Sequence, residues 1–173
     1  MDIKSLQTKY MDIIKDRYVE SEDEDIYFKN LINSKNLKVL NEIIYYWRAN
    51  GIEEFCLLTS SLLKKTDCFE EKITEYYRNN NFSNYLEEFG KSFLNFIIKD
   101  ENKLNSFVAE FELAMKNVNS ENRNDYFIET KYNLNEVTNY ILSDGEYPCE
   151  HNELSIIKVS PTLENNFCII NNN

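Results

Sequence analysis

The fold is decided by the stretch YLEEFGKSFLNF, which occupies residues 85–96. Its Leu86, Phe89 and Phe93 recur at spacings of three and four residues, so they lie on one face of a helix. That helix is expected to run from Asn84 to Lys99. An aromatic stripe of this kind is typical of core packing. The chain is therefore predicted to build its core between helices.

Similar helical patterns fill the rest of the first 118 residues, which are predicted to form a helical bundle. Asn50-Gly51 predicts a helix stop, because glycine tolerates the left-handed conformation that closes helices. Asp67 is predicted to cap the next helix, and the polar run Glu20–Asp25 to be a solvated connector. The predicted helices are Ile3–Tyr18, Tyr27–Ile32, Leu37–Ala49, Ile52–Lys65, Cys68–Asn79 and Leu104–Asn117.

The pattern changes after residue 118. The polar, asparagine-rich segment Asn117–Asp125 predicts a boundary between a helical N-terminal domain, residues 1–118, and a small α+β lobe, residues 119–173. The fold class is thus mainly α with a small C-terminal α+β lobe. The lobe is predicted to hold strands at Tyr126–Ile128, Leu154–Ser160 and Asn166–Ile170, and a helix capped by Asn133 or Asn135 that runs to Leu142.

Composition and charge limit the possible partners. The 173 residues are 42% apolar, and no apolar run approaches the roughly 20 residues of a membrane span, so a cytoplasmic protein without a membrane partner is expected. The net charge is −11, from 30 acidic and 19 basic residues. Nucleic acid is not an expected partner, since DNA affinity depends on Lys and Arg at phosphates. The acidic balance suits a basic peptide or protein, or solubility alone.

Candidate chemistry is sparse in this sequence. His151 is the only histidine, and Cys149 lies two residues away, a spacing at which side chains rarely face each other. A metal site built from Cys149, His151 and nearby glutamates would not have a known zinc spacing. The four cysteines are predicted to be reduced and mostly buried. The sequence therefore predicts neither a catalytic residue nor a metal site.

Short motifs carry a family resemblance over roughly residues 40–165. Residues 46–50, 55–69 and 85–96, with the block FVAEFELA at 107–114 and the block IKVSPTL at 157–163, resemble partner subunits of multinuclear non-haem iron-dependent oxidative enzymes, including the methanobactin-type pair. The helical domain of that family is often labelled DNA-binding. Its second block usually reads Leu-Glu-Trp-Ala and its third His-Pro-Ser-Leu, where this chain has Phe111-Glu112-Leu113-Ala114 and Ser160-Pro161-Thr162-Leu163.

The resemblance implies a non-catalytic partner protein in the biosynthesis of ribosomally made, modified peptides. Such a subunit binds the leader of a precursor peptide and presents it, in a heterodimer, to the oxidative enzyme, which modifies cysteine or another residue. Iron is expected in that enzyme and no cofactor in this chain. The C-terminal lobe is implied to be a winged-helix-like recognition element whose sheet edge accepts the leader as an added strand.

The expected peptide site follows from that mode of binding. Strand addition needs an exposed sheet edge beside an apolar helix face. The edge is predicted from Leu154, Ile156, Ile157, Lys158 and Val159, and the apolar wall from Val137, Tyr140 and Ile141. The surrounding acidic residues, which would favour Lys or Arg in the leader, are Glu129, Glu136, Asp144, Glu146 and Glu153.

Three other interpretations stay open from the sequence. In the first interpretation, the strands around residues 154–170 form an ordinary hairpin that closes a small core. A nucleic-acid-binding or regulatory module would need a basic face, which the composition does not indicate. A stand-alone metalloenzyme would use Cys149 and His151.

Overall fold

The computed structural model describes residues 2–15, 17–21, 25–80, 85–120, 124–143 and 145–171. Within these ranges the chain is mainly helical, with a small three-stranded antiparallel sheet near its C-terminus, as predicted. The elements are α1 (Ile3–Ile14), α2 (Ile26–Ile32), α3 (Lys35–Phe55), α4 (Leu57–Lys65), α5 (Phe69–Asn79), α6 (Leu86–Ile97), α7 (Lys103–Val118), β1 (Tyr126–Thr130), α8 (Leu134–Leu142), β2 (Ser155–Val159) and β3 (Phe167–Asn171). None of the helices described is both long and apolar enough to cross a bilayer.

Helix α3 continues through the predicted stop at Asn50-Gly51, so that prediction is wrong. Gly51 has an ordinary helical conformation, and a Cβ on it would lie 3.0 Å from Cδ1 of Leu86. Ile52, one residue later, is fully buried and keeps the helix on the core. The glycine therefore marks a close helix contact, and the break comes five residues later, at Cys56.

Asp67 does not cap α5, and that prediction is also wrong. Its φ is 54°, in the left-handed region, and its N–H donates to the carbonyl of Lys64 at 3.2 Å. The N–H of Cys68 donates to the carbonyl of Leu63 at 2.9 Å. This pair of bonds closes the C-terminus of α4 as a Schellman motif. Asp67 therefore ends one helix, and Cys68 takes the N-cap position of the next.

Helix α1 also differs from its predicted length. It ends at Ile14, four residues before the predicted Tyr18. Part of the predicted connector Glu20–Asp25 lies outside the described residues.

The first hydrophobic cluster lies between α3, α5 and α6, and the decisive stretch supplies its centre. Phe93 is fully buried and Phe89 nearly so, which confirms the predicted stripe at these two positions, whereas Leu86 is 44% exposed. The ring of Tyr76 lies 5.3 Å from that of Phe93 in an edge-to-face contact, a favourable aromatic geometry. This cluster packs α3, α5 and α6 against one another.

A second cluster joins α7 to the sheet and α8. Phe107 and Phe111 of α7 pack with Ile128 of β1, Ile157 of β2 and Val137 of α8. The core thus runs across residue 118, at which two domains were predicted, and the division itself stays a prediction. The winged-helix likeness of the C-terminal lobe likewise stays a prediction.

The sheet has the order β1-β2-β3, and both neighbouring pairs are antiparallel. Ile157 of β2 lies opposite Ile128 on one side and Ile169 on the other. The prediction that β2 forms the sheet edge is therefore wrong, because its backbone groups are paired on both sides. The strands described leave their open edges on β1 and β3.

Candidate functional site

The free edge of β3 is the best-formed candidate for a binding site. The N–H of Ser160 donates to the carbonyl of Asn166 at 2.8 Å, which starts the ladder between β2 and β3. Because hydrogen-bonded pairs alternate in antiparallel sheets, Cys168 and Ile170 direct their backbone groups to β2. The backbone N–H and C=O groups of Phe167 and Ile169 therefore point to the open edge.

This edge lacks the usual protection against pairing with another chain. Its sequence, Phe-Cys-Ile-Ile-Asn at 167–171, contains neither a charge nor a proline. Native edge strands are normally blunted by such residues. Ile169 and Ile170 are 40% and 39% exposed. The opposite edge, on β1, carries the exposed carboxylate of Glu129.

A cleft of about 300 Å³ borders the edge of β3, between the sheet and the start of α8. Ile169 forms part of its wall together with Leu134, the first residue of α8. The cleft is lined by Lys131, Tyr132, Asn133, Leu134, Asn135, His151, Glu153, Ser155, Ile157 and Ile169. A strand added to β3 would direct alternate side chains toward this cleft.

Polar contacts fix the rim of the cleft. Nε2 of His151 lies 3.1 Å from Oε2 of Glu136 on α8, and the backbone N–H of His151 donates to the carbonyl of Lys131 at 2.7 Å. Burial, and then the nearby carboxylate of Glu150, raise the pKa of Tyr132 to about 12. The loop before β2 is thereby tied to the end of β1 and the start of α8.

The predicted site residues do not come together on one surface. Val137, Ile141, Ile157 and Val159 are buried in the second cluster, where they build the core beneath the sheet. Tyr140 is half-buried, with its ring 5.4 Å from that of Tyr147. Leu154 is exposed just before β2. Ile156 and Lys158 belong to the face of the sheet opposite the core, because they alternate with Ile157 and Val159.

Ile169 and Ile170 were missing from the prediction. The uncharged run Phe167–Ile170 could have indicated them. It lies in a predicted strand, but the sequence does not show that this strand forms an edge of the sheet. Among the acidic residues predicted around the site, Glu153 lines the cleft and Glu136 contacts His151. Asp144 lies outside the described residues.

The pair Cys149 and His151 forms no recognisable catalytic arrangement. Cys149 is exposed, with Sγ 3.9 Å from the carbonyl of Tyr147, while the ring of His151 faces Glu136. Among the side chains described, no three from His, Cys, Asp and Glu are grouped to hold a metal. All four cysteines are free, but only Cys56 is fully buried, so the prediction of mostly buried thiols is wrong.

The two family-like blocks occupy structural positions. Glu112, in the second block, is buried, and its carboxylate accepts the backbone N–H groups of Leu58 at 3.2 Å and Thr59 at 2.9 Å. Ser160, in the third block, accepts the N–H of Thr162 through its Oγ at 3.3 Å and begins the turn between β2 and β3. The second block thus holds the start of α4, and the third begins the connection between β2 and β3.

No protein-family model, curated protein or solved structure matches the chain. The family resemblance therefore rests on the short motifs alone.

Proposed function

We propose that this chain is a non-catalytic partner protein that binds an extended segment of a precursor peptide, its leader, as a fourth strand along β3. It presents that peptide to an iron-dependent oxidative enzyme. The observation that carries the proposal is an uncharged, unprotected edge strand bordered by a cleft. The motif resemblance supplies the class of peptide and the class of enzyme.

Backbone groups would provide most of the affinity. The N–H and C=O groups of Phe167 and Ile169 are directed outward and would exchange hydrogen bonds with the leader. Side chains of the leader would alternate between the cleft, beside Ile169 and Leu134, and the opposite face, beside Ile170. Apolar residues at every second position of the leader fit this arrangement.

Charge would add selectivity and speed of association. Glu153 and Lys131 line the cleft, Glu136 lies on its rim, and the whole chain carries a net charge of −11. A leader with Lys or Arg next to its apolar residues is therefore favoured, with an association rate that falls as salt is added. The proposal keeps the iron in the enzyme and assigns no chemical step to this chain.

Replacing Ile169 with proline is expected to weaken leader binding at least about tenfold. Proline lacks the N–H that would bond the leader, and its ring obstructs the open edge. The ladder to β2 is retained, because the N–H of residue 169 does not point to β2. The measurement is fluorescence anisotropy of a labelled synthetic peptide with apolar residues at every second position and Lys or Arg beside them, the pattern that the edge and the cleft favour.

The matched control is Glu129→Pro, which removes an outward N–H from the opposite edge, on β1. This variant is expected to bind the leader like the wild type. Equal affinity of all three proteins, or loss in Glu129→Pro alone, would contradict the proposed site. Circular dichroism shows whether both variants keep their helices.

Co-purification tests the enzyme half of the proposal. The tagged chain, expressed with its neighbouring reading frames, is expected to retain an iron-containing enzyme together with the precursor peptide. Mass spectrometry and iron analysis of the retained fraction provide the readout. Recovery of the chain alone would contradict the partner role, whatever the peptide affinity.

A further inference from the structure

The open edge of β3 can pair with the same edge of a second copy of this chain. Phe167, Ile169 and Asn171 direct their backbone groups outward, because Cys168 and Ile170 bond β2. These three residues are placed symmetrically about Ile169. A two-fold axis beside Ile169 therefore brings the outward N–H and C=O groups of one β3 opposite those of another, and all of them find partners.

The side chains of the strand favour this pairing. The sequence Phe-Cys-Ile-Ile-Asn at 167–171 contains no charge, so two copies bring no like charges opposite each other. The two-fold alignment sets Ile169 against Ile169 of the second copy, beside the cleft, and Cys168 against Ile170 on the other face of the sheet. Apolar cross-strand pairs of this kind stabilise antiparallel strands.

The charges beside the strand are of both signs. Lys158, which lies next to Cys168 on β2, forms an ion pair with Asp125 at 2.8 Å. The cleft is lined by Lys131 as well as Glu153. The net charge of −11 acts between whole chains, where salt screens it. Repulsion between two copies therefore weakens the pairing without preventing it.

The pairing ends at the dimer instead of growing into a filament. It joins three strands from each copy into one sheet, whose outer strands are then the two copies of β1. Strand β1 carries the exposed carboxylate of Glu129, and a charge on an edge strand discourages further pairing. A contact that uses the same strand of both copies is isologous and therefore closed. A second copy thus satisfies the β3 edges of both chains at once.

We propose that, without a bound leader, β3 pairs antiparallel with β3 of a second copy of this chain, centred on Ile169. The inference rests on the proposed function, because the second copy would cover the edge that the leader uses and would have to leave before the leader binds. Five-residue strands bury little area and both chains are acidic, so a weak dimer is expected, with a dissociation constant on the order of 10 µM.

Sedimentation equilibrium of the full chain measures the dimer. Because salt screens the repulsion between the chains, the dimer is expected to tighten at least about threefold between about 50 mM and about 500 mM NaCl. Binding of a basic leader is expected to change in the opposite direction. Ile169→Pro is expected to leave a monomer, since it removes the central N–H of the pairing, whereas the control Glu129→Pro is expected to dimerise normally.

Disulfide trapping tests the register of the two strands. Cys168 would form a non-hydrogen-bonded pair with residue 170 of the second copy, with Cα atoms about 4.5 Å apart, which suits a disulfide. Ile170→Cys is therefore expected to give a covalent dimer on mild oxidation, in a Cys149→Ser background that removes the exposed thiol. The matched control adds Cys168→Ser to this chain and is expected to stay monomeric under the same conditions.

Competition with the labelled peptide connects the dimer to the leader site. The peptide is expected to convert the non-covalent dimer to monomer. The covalent dimer of the Ile170→Cys chain is expected to bind the peptide at least about tenfold more weakly than the same chain after reduction. Equal affinity before and after reduction would overturn the shared edge.

The failure of the dimer and the failure of the proposed function give different results. A wild-type chain that is monomeric at about 200 µM in high salt would overturn the dimer, and peptide binding would still support the leader site. A dimer that survives Ile169→Pro, or a disulfide that forms as readily after Cys168→Ser, would also overturn it. A reduced monomer that binds no peptide would instead contradict the leader site and leave the dimer in place.

Discussion

Replacing Glu112 with alanine is expected to lower the free energy of unfolding by about 3 kcal/mol. Helix α4 has no side-chain hydrogen bond from its own N-cap, Cys56. Its first N–H groups would be unpaired without the carboxylate of Glu112, which reaches across from α7 to Leu58 and Thr59. The charge also lies at the positive end of the helix dipole. Alanine would leave these donors buried and unsatisfied.

Two controls separate this role from a general effect of removing a glutamate. Glu112→Gln keeps one acceptor oxygen and is expected to cost about half as much as alanine. Glu110→Ala removes an exposed carboxylate from the same helix and is expected to change the unfolding free energy by less than about 0.5 kcal/mol. Urea denaturation followed by circular dichroism measures all three. Equal stabilities of Glu112→Ala and Glu110→Ala would contradict the capping role.

The cap matters for the sheet edge as well as for stability. Lys65, near the end of α4, donates to the backbone carbonyls of Tyr140 and Ser143 at the end of α8. Helix α4 therefore links the carboxylate of α7 to the helix whose first residue lines the cleft beside β3. Loss of Glu112 is expected to weaken leader binding through this link, even though Glu112 does not line the cleft.

The presence of a helix could be predicted wherever apolar residues recur at spacings of three and four over a long segment. Phe89 and Phe93 in the stripe of α6, and the helix α7 itself, were predicted correctly for this reason. Gly51 and Asp67 were misinterpreted, because local propensity cannot reveal what lies beside a residue. Leu86 packs on Gly51, and Asp67 takes a left-handed conformation to end α4, facts that depend on the folded chain.

The position of each strand in the sheet was harder to predict than its existence. Residues 155–159 have the strongest β-branched character, and they form the central strand, which is paired on both sides. The edge strands are β1 and β3, and the run of apolar residues in β3 resembles a buried strand in sequence. Strand order depends on contacts between distant segments, such as that of Phe111 with Phe167, and periodicity contains no information about these.

Replacing Gly90 with alanine is expected to destabilise the protein by about 3 kcal/mol, a large effect for one methyl group. A Cβ on Gly90 would lie 2.1 Å from Cδ1 and 2.5 Å from Cγ of Phe55. Cγ is the base of the ring, so rotation of the ring about the Cβ–Cγ bond cannot clear it. Nζ of Lys116 lies 4.2 Å from the centre of the same ring, on which it packs, and a change of χ1 would break that contact. Alanine would therefore either move α6 away from α3 or force Phe55 out of its place.

Gly51→Ala is the matched control, because it makes the same change in the neighbouring helix. There the new methyl group would meet only Cδ1 of Leu86, the flexible end of a side chain, at 3.0 Å. The gain of about 1 kcal/mol in helix propensity is expected to offset that contact.

In a Gly90→Ala chain, Phe55→Leu is expected to recover part of the loss of stability, since the two residues interact directly. Urea denaturation gives the change in the free energy of unfolding for each variant. If the changes caused by Gly90→Ala and Phe55→Leu were additive, contact with the ring of Phe55 would not be the reason why residue 90 must be glycine.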